Sequence, residues 1–86
     1  MKVKNMTSKN GNKVANQFII ELSNTTVFQS YGTVIAKLEA GYLTLDAKAW
    51  DYSRTTAKYR NKFTGLSTEE TKQGIKEGTI KLVDLN

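Results

Sequence analysis

The chain contains no cysteine, no histidine and no proline among its 86 residues. Without cysteine there is no disulfide framework and no thiol nucleophile, and without cysteine or histidine there is no zinc site of the usual N/S kind. Without histidine there is no Ser-His-Asp triad and no side chain that titrates near neutrality when unperturbed. Long apolar runs are missing too. The longest are as short as Phe18-Ile19-Ile20, far below the roughly 20 residues that span a bilayer, so no membrane partner is expected. The N-terminal MKVKNMTSKNGNK is basic but has no apolar core, so it does not read as a secretory signal. Cytoplasm is the default location these absences leave.

What is present describes a small globular domain. Hydrophobic residues make up 38% and charged residues 24%, a balance suited to folding rather than disorder. The length allows one domain. A chain of this size buries only about 60–65% of its unfolded surface, so its stability is modest.

Thirteen Lys and Arg against eight Asp and Glu give a net charge of +5. The surplus is unevenly placed. Residues 1–20 carry Lys2, Lys4, Lys9 and Lys13 and no acid. Residues 21–47 are net −2, with Lys37 against Glu21, Glu39 and Asp46. Residues 48–62 are net +4, with Lys48, Arg54, Lys58, Arg60 and Lys62 against Asp51. The remainder is net −1. Basicity therefore has two seats, the N-terminal segment and one internal stretch.

The pattern divides the chain into a flexible basic arm, residues 1–12, and a single small domain, residues 13–86. The arm is polar and lacks periodicity. From Val14, apolar residues recur at alternate positions (Val14, Phe18, Ile20, Leu22), with Asn16 interrupting, which argues for a half-buried strand. Ser23-Asn24-Thr25 is a turn signal, and Thr26-Val27-Phe28-Gln29 is a returning strand. After Gly32, the segment Thr33–Leu38 places Val34, Ala36 and Leu38 on one side as a third strand; a short helix from Thr33 is the competing reading. Ala40-Gly41 then turns the chain into Tyr42-Leu43-Thr44-Leu45.

The period changes after Trp50. Tyr52, Thr56, Tyr59 and Phe63 fall on one face at about 100° per residue, which predicts a helix capped by Asp51 or Ser53 and ended by Gly65. Arg54, Lys58 and Lys62 follow at i, i+4 and i+8 on another face. Trp50 lies roughly opposite the aromatic face. Ser67-Thr68-Glu69-Glu70 is a capping box for a second helix, Thr68 to about Glu77, with Gly78 beyond its end. Only Ile75 in it is strongly apolar, and Gly74 weakens it by about 1 kcal/mol relative to Ala, so this helix is expected to be exposed. Thr79–Leu85 reads as a final strand. The expected fold is α+β: an antiparallel meander of about four strands, two short α-helices and a C-terminal β-strand.

Nothing in this pattern calls for an enzyme or a cofactor. No phosphate-binding glycine loop and no nucleophile elbow is present. No acid sits in an apolar run that would raise its pKa. Asp46 and Asp51 flank Trp50 and suit turns and caps better than a magnesium site. The segment from Trp50 to Phe63 is the strongest chemical feature. Lys and Arg with hydroxyls bind phosphate, and aromatic faces stack on bases. The candidate binding residues are Trp50, Arg54, Thr55, Lys58, Arg60 and Lys62. The competing reading makes the aromatics core and the cations a solvated face.

Ser30-Tyr31-Gly32-Thr33-Val34-Ile35-Ala36, then Trp50-Asp51-Tyr52-Ser53-Arg54-Thr55-Thr56 with Lys58, resembles a family of small uncharacterised proteins encoded by phages and other mobile elements. Their shared pattern is S-Y-x-T-x-I-A followed by Y-S-R-T-T-x-K, and the likeness covers about residues 16–65. The resemblance implies a context, an accessory protein in the cytoplasm of a host cell, and transfers no functional residue. Proteins of that size and origin are often stoichiometric binders, including anti-restriction and anti-CRISPR inhibitors; this is fold-independent analogy. The expected function is non-catalytic binding to nucleic acid or a nucleoprotein through the basic and aromatic helix. The alternative is a protein-binding inhibitor of a host defence system. A net charge of +5 argues against an acidic mimic of nucleic acid. Free sheet edges offer a route to homo-oligomers.

Overall fold

Two Gly-containing turns set the register of the sheet. At Tyr31-Gly32 both residues have positive φ (52° and 81°), as do Ala40 and Gly41 (52° and 82°). Positive φ at both central residues defines the two-residue hairpin turn whose twist matches that of its flanking strands. Ser30 thus pairs with Thr33, and Glu39 with Tyr42. The earlier hairpin closes through Leu22 N donating to Thr25 O at 2.8 Å.

The computed structural model describes residues 1–86. Its elements are β1 (Lys2–Thr7), β2 (Lys13–Glu21), β3 (Thr25–Ser30), β4 (Thr33–Glu39), β5 (Tyr42–Asp46), α1 (Arg54–Thr64), α2 (Thr68–Glu77) and β6 (Ile80–Val83). All six strands form one sheet in the order β1-β2-β3-β4-β5-β6. The first five form an antiparallel meander, and β6 joins β5 in parallel. The fold is α+β as expected, but the sheet is mixed and larger than the four-stranded meander expected. A parallel neighbour needs a long crossover, and α1 with α2 supplies it. The strand reading of Thr33–Leu38 holds against the helix.

Two local expectations are corrected. Residues 2–7 of the supposed arm are a paired strand: Val3 aligns with Ile20, Asn5 with Phe18, and Lys4 bonds Glu21 at 2.8 Å. Pairing is non-local, and Lys2 and Lys4 share a face with buried Met6, so period two did not show. Val34 does not share a face with Ala36. A bulge inserts Ile35 between the Phe28–Ala36 and Gln29–Val34 pairs, and Ile35 and Ala36 are both buried. Asn16, which interrupts the alternation in β2, sits at φ 65° and accepts from Tyr31 N at 2.9 Å, an irregularity that Asn tolerates.

Both helices lie on one side of the sheet. Phe28 stacks on Phe63 with centroids 5.9 Å apart, and Ser30 Oγ lies 3.3 Å from Thr56 Oγ1. Strand alternation then puts Met6, Ile19, Phe28, Ala36, Leu45 and Ile80 under the helices. Met6, Phe28, Ile35, Ala36, Leu45, Tyr59 and Ile80 are the buried apolar core. Thr56, Tyr59 and Phe63 form the packed face of α1 as expected. Tyr52 does not: it precedes the helix and is 52% exposed. In α2, Thr71 and Gly74 are buried, so the helix is docked on one side rather than free. A Cβ on Gly74 would stand 2.5 Å from Ile80 Cδ1; the glycine that costs helix propensity is what lets α2 lie on β6.

Candidate nucleic-acid interface

The start of α1 divides the Ser-Arg-Thr-Thr run between fold and solvent. Ser53 is the N-cap, and its Oγ accepts from Thr56 N at 3.1 Å. Its hydroxyl donates to Thr56 Oγ1 at 3.0 Å, and Thr56 Oγ1 also meets Ser30 of β3. Thr56 is therefore a clasp between helix and sheet. Arg54 and Thr55 point outward and are exposed, as the binding reading requires.

Two of the six expected binding residues are withdrawn by the structure. Arg60 has no exposed surface. Its Nη1 donates to the Trp50 carbonyl at 2.6 Å and to Asp51 Oδ1 at 3.1 Å. Its Nη2 donates to Asn61 Oδ1 and Thr68 Oγ1, both at 2.9 Å. The guanidinium lies 5.1 Å from the Trp50 ring centroid, a cation–π contact. Arg60 ties the turn before α1 to the first residue of α2, and half-buried Trp50 packs against the core beneath it. A helical wheel cannot separate Arg60 from Lys58 and Lys62 by charge; only their angles differ, and Arg60 adjoins buried Tyr59.

Arg54, Lys58 and Lys62 remain as an exposed stripe, with successive members about 6 Å apart along the axis. The chain from Arg54 to Thr64 has no acid. The β1–β2 loop comes to meet it. Lys62 Nζ donates to the Thr7 carbonyl, and Ser8, Lys9, Lys58, Tyr59 and Lys62 line a cleft of about 450 Å³. Lys4 and Lys62 line an adjoining cleft of about 530 Å³ with Met6 and Phe63. The two basic seats of the sequence thus become one surface. Lys4 at its edge pairs with Glu21, whose carboxylate is held below its usual range by the hydrogen bond from Lys4 and by that lysine's charge.

Exposed aromatic rings lie elsewhere than Trp50. Tyr31 and Tyr52 are 59% and 52% exposed and line a cleft of about 650 Å³ with Thr33 and Lys48. Tyr31 occupies a positive-φ turn position where Asn, Asp or Gly is the usual resident, so the turn does not explain its ring. Only a Gly was legible there; that Tyr31 and Tyr52 line one cleft follows from β3 docking on α1 through Ser30 and Thr56. Asp46, at the floor of this cleft, is occupied: its carboxylate accepts from Lys48 N, Ala49 N and Leu85 N at 3.2, 2.9 and 2.9 Å. Those bonds, led by the one from Leu85, hold its pKa below the usual value. With Asp51 engaged by Arg60, the two aspartates flanking Trp50 serve turn and clasp. No group of three or more Asp and Glu is placed to hold a metal ion. No helix is long and apolar enough to cross a membrane.

Fold and surface together define a two-layer α+β domain with a basic groove between its outer helix and its first hairpin. The chain belongs to a family of unknown function, DUF8033, whose model matches residues 1–80. The match takes in β1, in keeping with its place in the sheet. No curated protein and no solved structure matches the chain.

Proposed function

We propose that this protein is a non-catalytic accessory protein that binds nucleic acid through the outer face of α1 and the β1–β2 loop. One observation carries the reading: Lys9, remote in sequence, is brought to the same cleft as Lys58 and Lys62. Exposed lysines that merely keep a protein soluble have no reason to converge, since convergence raises their mutual repulsion. A polyanion relieves that repulsion and gains entropy by releasing its counterions. Arg54 and the Thr55 hydroxyl extend the surface toward Tyr31 and Tyr52, whose rings can stack on unpaired bases. Arg60 and Trp50 serve the reading by holding α1 rigid.

Fluorescence anisotropy with short labelled DNA and RNA, at about 50 and 200 mM salt, tests this. Affinity is expected to fall steeply with salt, and Lys58→Glu/Lys62→Glu to flatten the dependence by about two units of slope. No binding at the lower salt, or binding indifferent to that double variant, overturns it. A host protein retained in a pull-down after nuclease treatment would favour the inhibitor reading instead.

A further inference from the structure

The walls of the Tyr31–Tyr52 cleft carry side chains that the fold does not use. Neither ring packs against the core cluster. Tyr31 holds a left-handed turn position, φ 52°, where Asn or Gly costs less. Lys48 of the same cleft is exposed and enters none of the four ion pairs. Two rings and one cation therefore face solvent together.

The floor of the cleft, by contrast, is spent within the chain. The Asp46 carboxylate accepts from three backbone N–H groups. Asn86 Oδ1 accepts from Val34 N at 2.7 Å, and its Nδ2 donates to the Val34 carbonyl at 3.0 Å. Asp84 Oδ1 accepts from Asn86 N at 3.0 Å. Groups already paired in this way leave stacking and charge as the means of recognition. The charges of Asp46 and Asp84 also repel phosphate. The cleft therefore suits a flat, uncharged ring whose phosphate lies outside it, toward Lys48 and the start of α1.

Resting on the nucleic-acid reading above, we infer that the protein takes single-stranded nucleic acid in preference to duplex. An unpaired base stacks in the Tyr31–Tyr52 cleft, and the phosphates of the strand follow Arg54, Lys58 and Lys62. The flanks of α1 favour a single strand. A helix that reads duplex enters a major groove about 12 Å wide, and with its side chains it already measures about 10–12 Å. The β1–β2 loop stands against one flank of α1, where Lys62 Nζ donates to the Thr7 carbonyl. The other flank is tied to α2 by Arg60 and Thr68. Held between them, α1 is no free ridge for a groove. Bases in a duplex are also stacked on one another, which leaves the two rings idle. A single strand uses rings and cations alike, with tolerance of base identity.

Anisotropy at about 50 mM salt compares labelled single strands of about 12 nucleotides with a hairpin duplex of similar length. Homopolymers of A and of T are each expected to bind at least about tenfold tighter than the duplex. Tyr31→Asn and Tyr52→Ala are each expected to weaken single-strand binding about tenfold, with the salt slope and the circular dichroism spectrum unchanged. Should either variant unfold, Tyr31→Trp decides: its added fluorescence is expected to be quenched by saturating single strand and not by duplex. Duplex bound as tightly as single strand, single-strand affinity indifferent to both folded tyrosine variants, or equal quenching by the two forms overturns the single-strand preference and leaves the role of the groove lysines standing. Absence of binding to every probe overturns the nucleic-acid reading and the preference with it.

Discussion

At the residue scale, the most consequential side chain is Arg60, which its sequence neighbourhood presents as one more surface cation. Its guanidinium makes four hydrogen bonds from a fully buried position. Removing it leaves the Trp50 carbonyl and the Thr68 hydroxyl short of a partner and opens a cavity under the Trp50 ring. Arg60→Ala is expected to destabilise by about 3 kcal/mol, between a lost charged hydrogen bond and a broken buried pair. Urea denaturation checks this, and Lys58→Ala, at an exposed site, should move the midpoint little. Asp46 makes a different prediction. Its pKa is lowered in the folded chain, so the folded state favours the charged carboxylate. The stability it adds is present at neutral pH and is lost as pH falls below the usual carboxylate range and through the lowered value. Asp46→Asn is expected to cost about 2 kcal/mol at pH 7, with a smaller gap to wild type at about pH 4, where the unfolded carboxylate begins to take up its proton. Denaturation at both pH values reads the difference.

At the element scale, α1, α2 and the hairpins β2–β3 and β4–β5 were legible because their signals are local. A capping box, a Gly after a helix and an X-Gly turn act within four residues of chain. The Ser67 cap and its return bond from Glu70 form as the motif implies. β1 was not legible, because its partner β2 supplies its hydrogen bonds and half of its burial. Deleting residues 1–7 would be harmless to a flexible arm. Here it is expected to lower the melting temperature by at least about 5 °C, since β1 contributes Met6 and one edge of the sheet. Gly74 gives the sharpest test of context over propensity. Ala would gain about 1 kcal/mol in an isolated helix, yet the added Cβ meets Ile80 at 2.5 and 2.9 Å. Ile80 is buried, and both its Cδ1 and its Cγ1 would have to move, so Gly74→Ala is expected to destabilise by about 1–2 kcal/mol. Thermal unfolding of that variant decides the sign.

At the scale of the whole molecule, sequence and tertiary structure divide the account by range. The sequence by itself determined the chemistry that is excluded, the +5 charge, the α+β class and most element boundaries. These depend on which residues are present and on contacts a few positions apart. Only the tertiary structure decided that β6 returns parallel to β5, that Lys9 joins Lys58 and Lys62, and that both helices lie on one side of the sheet. It also separated Arg60 from the cations around it, because burial depends on what packs against a side chain from distant parts of the chain. Charge and periodicity are written locally along a chain; the surfaces they build are set by pairing and packing between segments far apart in it.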